Sequence, residues 1–175
     1  MLAFREGDAA AFDALFSRWA APLLRYLERM LRDAATAEEL VQEVFLRVHR
    51  ARDRYAPEAR FSTWLYRIAT NLALNELRRP RRREAHRGLD DPGAESLAAA
   101  TPRADDVVHA RRLGEAAVLE LEALPDRQRA ALWLGAVEGL AYSEVAVALG
   151  VSEKAVKALV HRARSALAQK LQGRV

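Results

Sequence analysis

Three groups of side chains in this 175-residue chain have the types and spacing to engage charged partners. Lys154, Lys157, His161, Arg162 and Arg164 lie close together near the C-terminus. At helical spacing these cations suit a phosphate backbone and the edges of bases in a major groove. Trp64, Arg67, Asn71, Asn75, Arg78 and Arg79 form a second group. An aromatic ring stacks on a base, an amide reads its edge and a guanidinium holds a phosphate, which is the chemistry of single-stranded DNA binding. The ordinary reading of that group is a core tryptophan on a basic surface helix, and composition alone favours it. Glu38, Glu39, Gln42 and Glu43 form the third group, either a solvated face matched to a helix dipole or an acidic patch for a basic protein surface.

The elements that must position these groups are helices. Tyr142–Leu149 carries Val145, Ala146 and Leu149 on one stripe. Gly150 supplies a left-handed residue for the turn, Ser152 a cap, and Glu153 an acid at the positive end of the next helix. Val156, Val160, Ala163 and Leu167 face inward on that second helix, with the cations outside. A short helix, a glycine turn and a longer cationic helix form the helix-turn-helix pattern; the ordinary alternative is a helical hairpin with a solvated basic face. Upstream, Phe12, Leu15, Phe16, Trp19, Leu23, Leu24 and Leu27 predict a core stripe, with Pro22 kinking or splitting the helix. Thr36 and Glu39 predict a capping box for a helix over 37–50, with Leu40, Val41, Val44, Phe45 and Val48 buried. Phe61–Arg79 predicts another helix, capped by Ser62 or Thr63 after the Pro57 loop.

Residues 80–106 read as a flexible linker, with Pro80, Pro92, Gly93 and Pro102 and no sustained apolar period. Periodicity returns from Val107, with Leu113, Ala117, Leu121 and Leu124 on one helix. Pro125 opens the next, whose apolar residues run to Val137 before Gly139. The fold class is therefore all-α: two small helical modules, 1–79 and 107–175, joined by a linker, the second holding the helix-turn-helix.

Composition narrows the function classes. Cysteine is absent, which removes disulfides, thiol catalysis and cysteine-ligated zinc. His49, His86, His109 and His161 have no metal-ligand spacing, and no phosphate loop, HExxH or nucleophile elbow occurs. No cofactor is expected and an enzyme is disfavoured. No apolar run approaches membrane length and no signal-peptide pattern opens the chain, so a cytoplasmic protein with no membrane contact of its own is expected. Net charge is +4; residues 107–175 carry ten cations against seven acids, while Arg78–Arg87 is a basic spot followed by acids. This modest bias suits a polyanion partner and predicts weak DNA affinity for the isolated chain.

Three motifs in order resemble the extracytoplasmic-function (group IV) sigma factors of bacterial RNA polymerase, in the sigma-70 superfamily. AEELVQEVFLRV is similar to the family's polymerase-binding helix, FSTWLYRIATNLALNELRR to its promoter −10 helix, and LPDRQRAALWL with YSEVAVALGVSEKAVKALVHRAR to its −35 module. The resemblance implies an alternative sigma factor that binds core polymerase, recognises both promoter elements and promotes DNA melting. Glu39, Gln42 and Glu43 would dock on the β′ clamp helices, with the β subunit also in contact. Tyr55, Arg60, Phe61, Trp64, Asn71, Asn75, Arg78 and Arg79 would capture the single-stranded −10 element. Ser152, Lys154, Lys157, His161, Arg162 and Arg164 would grip the −35 duplex. The linker would thread towards the polymerase active site, and an anti-sigma factor would wedge between the modules.

The chain departs from the family in two places. Ala155-Val156-Lys157-Ala158-Leu159 stands where the family often has Thr-Val-Lys-Ser-Arg, so two hydroxyls and a cation are missing from the recognition helix. Fewer phosphate contacts predict weaker binding and a shallower salt dependence. Asn75 stands where the family often has Asp. The competing function is a free-standing helix-turn-helix regulator, with residues 1–77 as a sensor or dimerisation domain acting without polymerase.

Overall fold

A computed structural model describes residues 1–87 and 120–172, and every regular element among them is helical. The N-terminal part contains α1 (Leu2–Arg5), α2 (Ala9–Leu31), α3 (Ala34–Arg50) and α4 (Phe61–Arg87). A single 3₁₀ turn, Arg52–Arg54, leads out of α3. The C-terminal part contains α5 (Asp126–Ala136), α6 (Tyr142–Leu149) and α7 (Glu153–Gln172). The part of the linker after Arg87, and most of the helix expected from Val107, lie outside the described residues; only its last turn, at 120–122, is inside them.

α2, α3 and α4 pack against one another along the stripes that periodicity marks. Leu23, Leu27 and Met30 on α2 meet Val41, Val44, Phe45 and Val48 on α3 and Leu65, Ala69 and Ala73 on α4 in one buried cluster. Tyr26 is fully buried among them, and its hydroxyl shares a 2.7 Å hydrogen bond with Thr70. That pairing avoids the cost of about 1–3 kcal/mol for an unsatisfied buried polar group. Desolvation holds the Tyr26 phenol far above its ordinary range, so it stays neutral.

Several local expectations change. Pro22 does not end α2, which runs unbroken from Ala9 to Leu31. Packing of the apolar stripe on both sides of the proline outweighs the one lost backbone hydrogen bond. Phe16 is not core: it is 45 % exposed, stacked on Phe45 at 4.8 Å between centroids. α3 begins at Ala34, so Asp33 and not Thr36 is its cap, accepting from the Ala35 amide at 3.1 Å. The Thr36 hydroxyl donates to the other Asp33 oxygen at 2.6 Å, and this bond holds the Asp33 carboxyl below its usual range. α4 begins at Phe61, so Ser62 and Thr63 lie inside its first turn and do not cap it. It also continues past Pro80 to Arg87, eight residues into the expected linker.

The helix-turn-helix forms as its residues dictate. Gly150 closes α6 at φ 63°, a left-handed conformation that costs an L-residue about 1–2 kcal/mol. The Ser152 hydroxyl accepts from the Ala155 amide at 3.2 Å and caps α7. Val145, Ala148 and Leu149 of α6 and Val156, Val160 and Ala163 of α7 share a core with Ala130, Ala131 and Leu134 of α5. Val137, expected on the apolar stripe, is 58 % exposed because α5 has already ended at Ala136.

The two helical groups also pack on each other, with α6 lying along α4 and α2 touching α5. Arg129 is the buried tie. Its guanidinium donates to the Glu122 carbonyl at 2.5 Å, the Met30 carbonyl at 3.0 Å and the Asp126 carboxylate at 2.9 Å. Its Nε is buried without a partner.

Candidate nucleic-acid and polymerase interfaces

The loop after the 3₁₀ turn and the first turns of α4 build an aromatic corner. Tyr55 is nearly buried, and its ring lies 5.1 Å from Trp64 and 6.5 Å from Phe61. Phe61 and Trp64 are themselves 5.9 Å apart. The Arg5 guanidinium donates to the Tyr55 carbonyl at 3.0 Å and pins the loop from α1. Burial pushes the Tyr55 phenol up, so its hydroxyl is a neutral donor and acceptor.

This corner opens into a cavity of about 430 Å³, within the range of small-molecule pockets. Tyr55 and Trp64 wall one part of it, and Arg54, Glu58 and Arg67 supply charge. An aromatic wall with guanidinium groups at the edge can stack an unpaired base and hold its phosphate. Trp64 is half-buried. It is therefore neither the core tryptophan that composition favours nor a free platform, but a wall. The expected residues separate into two sets. Tyr55, Phe61 and Trp64 come together in the corner, while Asn71, Asn75, Arg78 and Arg79 lie exposed farther along α4. Arg79 pairs with Glu76 at 2.8 Å. Arg60, 80 % exposed, approaches Glu144 of α6 at 3.7 Å.

On α7, Lys154, Lys157, His161, Arg162 and Arg164 are all exposed, opposite the buried Val156, Val160 and Ala163. Ser152 is exposed at the N-terminal end and is already engaged as the cap. Lys157 pairs with Glu153 at 3.3 Å, an exposed i,i+4 contact of about 0.3–0.5 kcal/mol that a phosphate can displace. Leu159, standing where the family often carries a cation, packs against the core. Ala158 is exposed, so the missing hydroxyl at that position is a genuine loss from the outer face.

On α3, Glu39 and Gln42 are exposed, while Glu43 accepts from Arg47 at 2.7 Å. Leu46 is 49 % exposed on the same helix, and exposed Phe16 stacks on its neighbour Phe45. The exposed acids of α3 therefore stand beside exposed apolar side chains. Sequence reasoning missed this because Phe16 fits the core period.

Two family models match, Sigma-70 region 2 over residues 15–83 and Sigma-70 region 4 over residues 115–167. The chain is 38 % identical over 159 residues to the RNA polymerase sigma factor CarQ of Myxococcus xanthus, covering 91 % of this chain and 88 % of that one. It is 29 % identical to the ECF RNA polymerase sigma-E factor of Escherichia coli over 96 % of this chain and 90 % of that one. Among solved structures it resembles CnrH in complex with the cytosolic domain of CnrY, with TM-score 0.67, 26 % identity and coverage of 97 % and 92 %. It also has the fold of RpoE in complex with the anti-sigma factor NepR from Bartonella quintana, with TM-score 0.71, 20 % identity and coverage of 93 % and 97 %.

The fold and its two matched regions define a sigma-70-type initiation factor. Within that class, the chain belongs to the extracytoplasmic-function sigma factors of bacterial RNA polymerase. It is an alternative sigma factor with core polymerase and promoter DNA as partners, not an enzyme and not a free-standing regulator. Among the described residues no helix is long and apolar enough to cross a membrane.

Proposed function

We propose that this sigma factor divides promoter recognition between the aromatic cavity at the start of α4 and the cationic face of α7. The cavity takes an unstacked base of the −10 element against Tyr55 and Trp64, with Phe61 supporting both rings. Arg60, Arg78 and Arg79 hold the adjoining backbone, and Asn71 and Asn75 face the strand along α4. Ser152, Lys154, Lys157, His161, Arg162 and Arg164 engage the −35 duplex. Glu39, Gln42 and Glu43, joined by Phe16 and Leu46, dock on the β′ clamp helices, with further contact to the β subunit.

The working units are residues 1–79, a linker over 80–106 and residues 107–175. The matches over 15–83 and 115–167 support these bounds, and α4 extends the first unit to Arg87. The chain acts in the cytoplasm, where its polymerase and DNA are. An anti-sigma factor holds it inactive, a reading supported by two similar proteins, RpoE in complex with NepR and CnrH in complex with the domain of CnrY.

One observation carries the assignment: an aromatic-walled cavity with guanidinium groups and a separate exposed cationic helix occur in a single chain of this family. The test is multi-round transcription on native genomic fragments with core polymerase, with and without the chain. Discrete new starts sharing two upstream elements are expected. Trp64→Ala is expected to lose those starts while retaining core binding. New starts that persist unchanged in Trp64→Ala would remove the cavity from promoter recognition.

A further inference from the structure

The first helix of the chain reaches the loop that walls the aromatic cavity, although it contributes no lining residue of its own. Phe4 is 4 % exposed, and its ring lies 5.1 Å from Phe12 of α2 and 5.3 Å from His49 of α3. The Arg52 guanidinium stands over the same ring at 5.0 Å, a cation–π contact from α1 onto the 3₁₀ turn. Gly7, at φ 108°, turns the chain from α1 into α2. The Asp8 carboxylate then caps α2 by accepting from the Ala11 amide at 3.3 Å. α1 is therefore seated on the helices of the N-terminal core and on the turn that leads to the cavity.

From that seat the Arg5 guanidinium donates to the Tyr55 carbonyl at 3.0 Å. The loop holds itself weakly at this point. The Tyr55 amide reaches the Arg52 carbonyl only at 3.4 Å, a long bond. Beyond Tyr55 the chain is irregular to Arg60, with the Glu58 amide on the Ala56 carbonyl at 2.9 Å. The Tyr55 carbonyl lies in the peptide plane that joins Tyr55 to Ala56, so its direction fixes ψ of Tyr55, here 120°. That angle sets the course of Ala56, Glu58 and Ala59, which line the cavity opposite the Trp64 ring.

We infer that Arg5 is a positioning residue for base selection: through the Tyr55 carbonyl it sets the shape of the loop wall, and so which base the cavity takes. The guanidinium acts through the loop and touches no base. The inference rests on the cavity being the −10 site, and the experiment separates failure of that reading from failure of the positioning role.

Arg5→Met keeps a long unbranched side chain and removes the donor. The full chain with core polymerase is run on a promoter library randomised over the −10 and −35 elements, and transcripts are sequenced against input. Base discrimination is expected to fall by roughly three- to tenfold at one or two adjacent −10 positions, the scale of one hydrogen bond. Discrimination at −35 and affinity for core are expected to stay constant. Transcription lowered by the same factor on every sequence would come from a less stable chain or, with a shallower salt dependence, from a lost phosphate contact, and either overturns the inference. An unchanged profile overturns it too. Trp64→Ala on the same library then decides the other question: lost starts keep the cavity as the −10 site, and starts that persist unchanged remove it. A changed Arg5→Met profile beside unchanged Trp64→Ala starts also overturns the inference, because the effect would then bypass the cavity.

Discussion

Arg129 shows how one residue can hold two helical groups together. It is 2 % exposed, and burial lowers its pKa although Asp126 opposes the shift. Two of its acceptors are backbone carbonyls, at Glu122 and at Met30. Arg129→Met keeps much of the volume and leaves the Glu122 and Met30 carbonyls without this donor. It is expected to destabilise the fold by about 3 kcal/mol, read as a lower midpoint in urea unfolding. A midpoint within error of the parent would mean that water replaces the guanidinium. This role was invisible in the sequence. Arg129 sits among Arg127 and Gln128, and no local pattern distinguishes an arginine that turns inward. The same holds for Thr63 and Tyr66, whose hydroxyls find partners more than seventy residues away.

Helices whose ends carry strong local chemistry were legible almost to the residue. Gly150 and Ser152 act through their own backbone and the next turn, so α6 and α7 could be bounded from sequence. Ser152→Ala is expected to cost about 1 kcal/mol of stability, measured by thermal unfolding, and to fray the start of α7. At the start of α3 the capping box read at Thr36 and Glu39 gave way to a cap three residues earlier. Asp33 accepts from the Ala35 amide, and Thr36 donates to its other carboxylate oxygen instead of capping. The Asp33 carboxyl is held below its ordinary value, so its contribution is complete above the unfolded-state pKa and fades as pH falls through the folded one. The stability gap between the parent and Asp33→Ala is therefore expected to shrink in acid, as pH titration of unfolding will show. At Pro22 the alternative of two separate helices failed for the opposite reason: a local signal for a break was outweighed by packing of Leu23, Leu27 and Met30. On α7, Arg164→Ala is expected to weaken duplex binding across sequences and reduce the log-log salt slope by about 0.9, read from binding isotherms at several salt concentrations. An unchanged slope would place Arg164 off the phosphate backbone.

At the scale of the whole molecule, the two-module plan was legible because the apolar period lapses between Arg79 and Val107. The packing of one module on the other was not, since the acids that join them look like surface charges. Glu144 reads as a residue of the first helical turn and Glu138 as part of a turn before Gly139. On α3 the acids at the N-terminal end stand out in sequence, whereas the exposure of Phe16 and Leu46 beside them does not. Glu39→Ala with Gln42→Ala and Glu43→Ala is expected to weaken binding to core polymerase at least tenfold, measured by competition against a second sigma factor. Retained affinity would remove these three residues from the docking site.

The seam between the modules has a consequence for apparent affinity. Its polar joins are Thr63 and Arg60 to Glu144, Tyr66 to Glu138, Arg29 to Glu122 and Arg129 to Met30. At about 0.5–1.5 kcal/mol for each hydrogen bond, and less for the exposed arginine pairs, they are expected to favour this packed form over an open one, with the modules apart, by a few kcal/mol. The open fraction is then roughly 0.1–10 %. Any partner that requires the open form binds more weakly than its intrinsic affinity by that same fraction. Substitutions along the seam that touch no partner would therefore rescale the affinities for all such partners by one common factor, leaving their rank order unchanged.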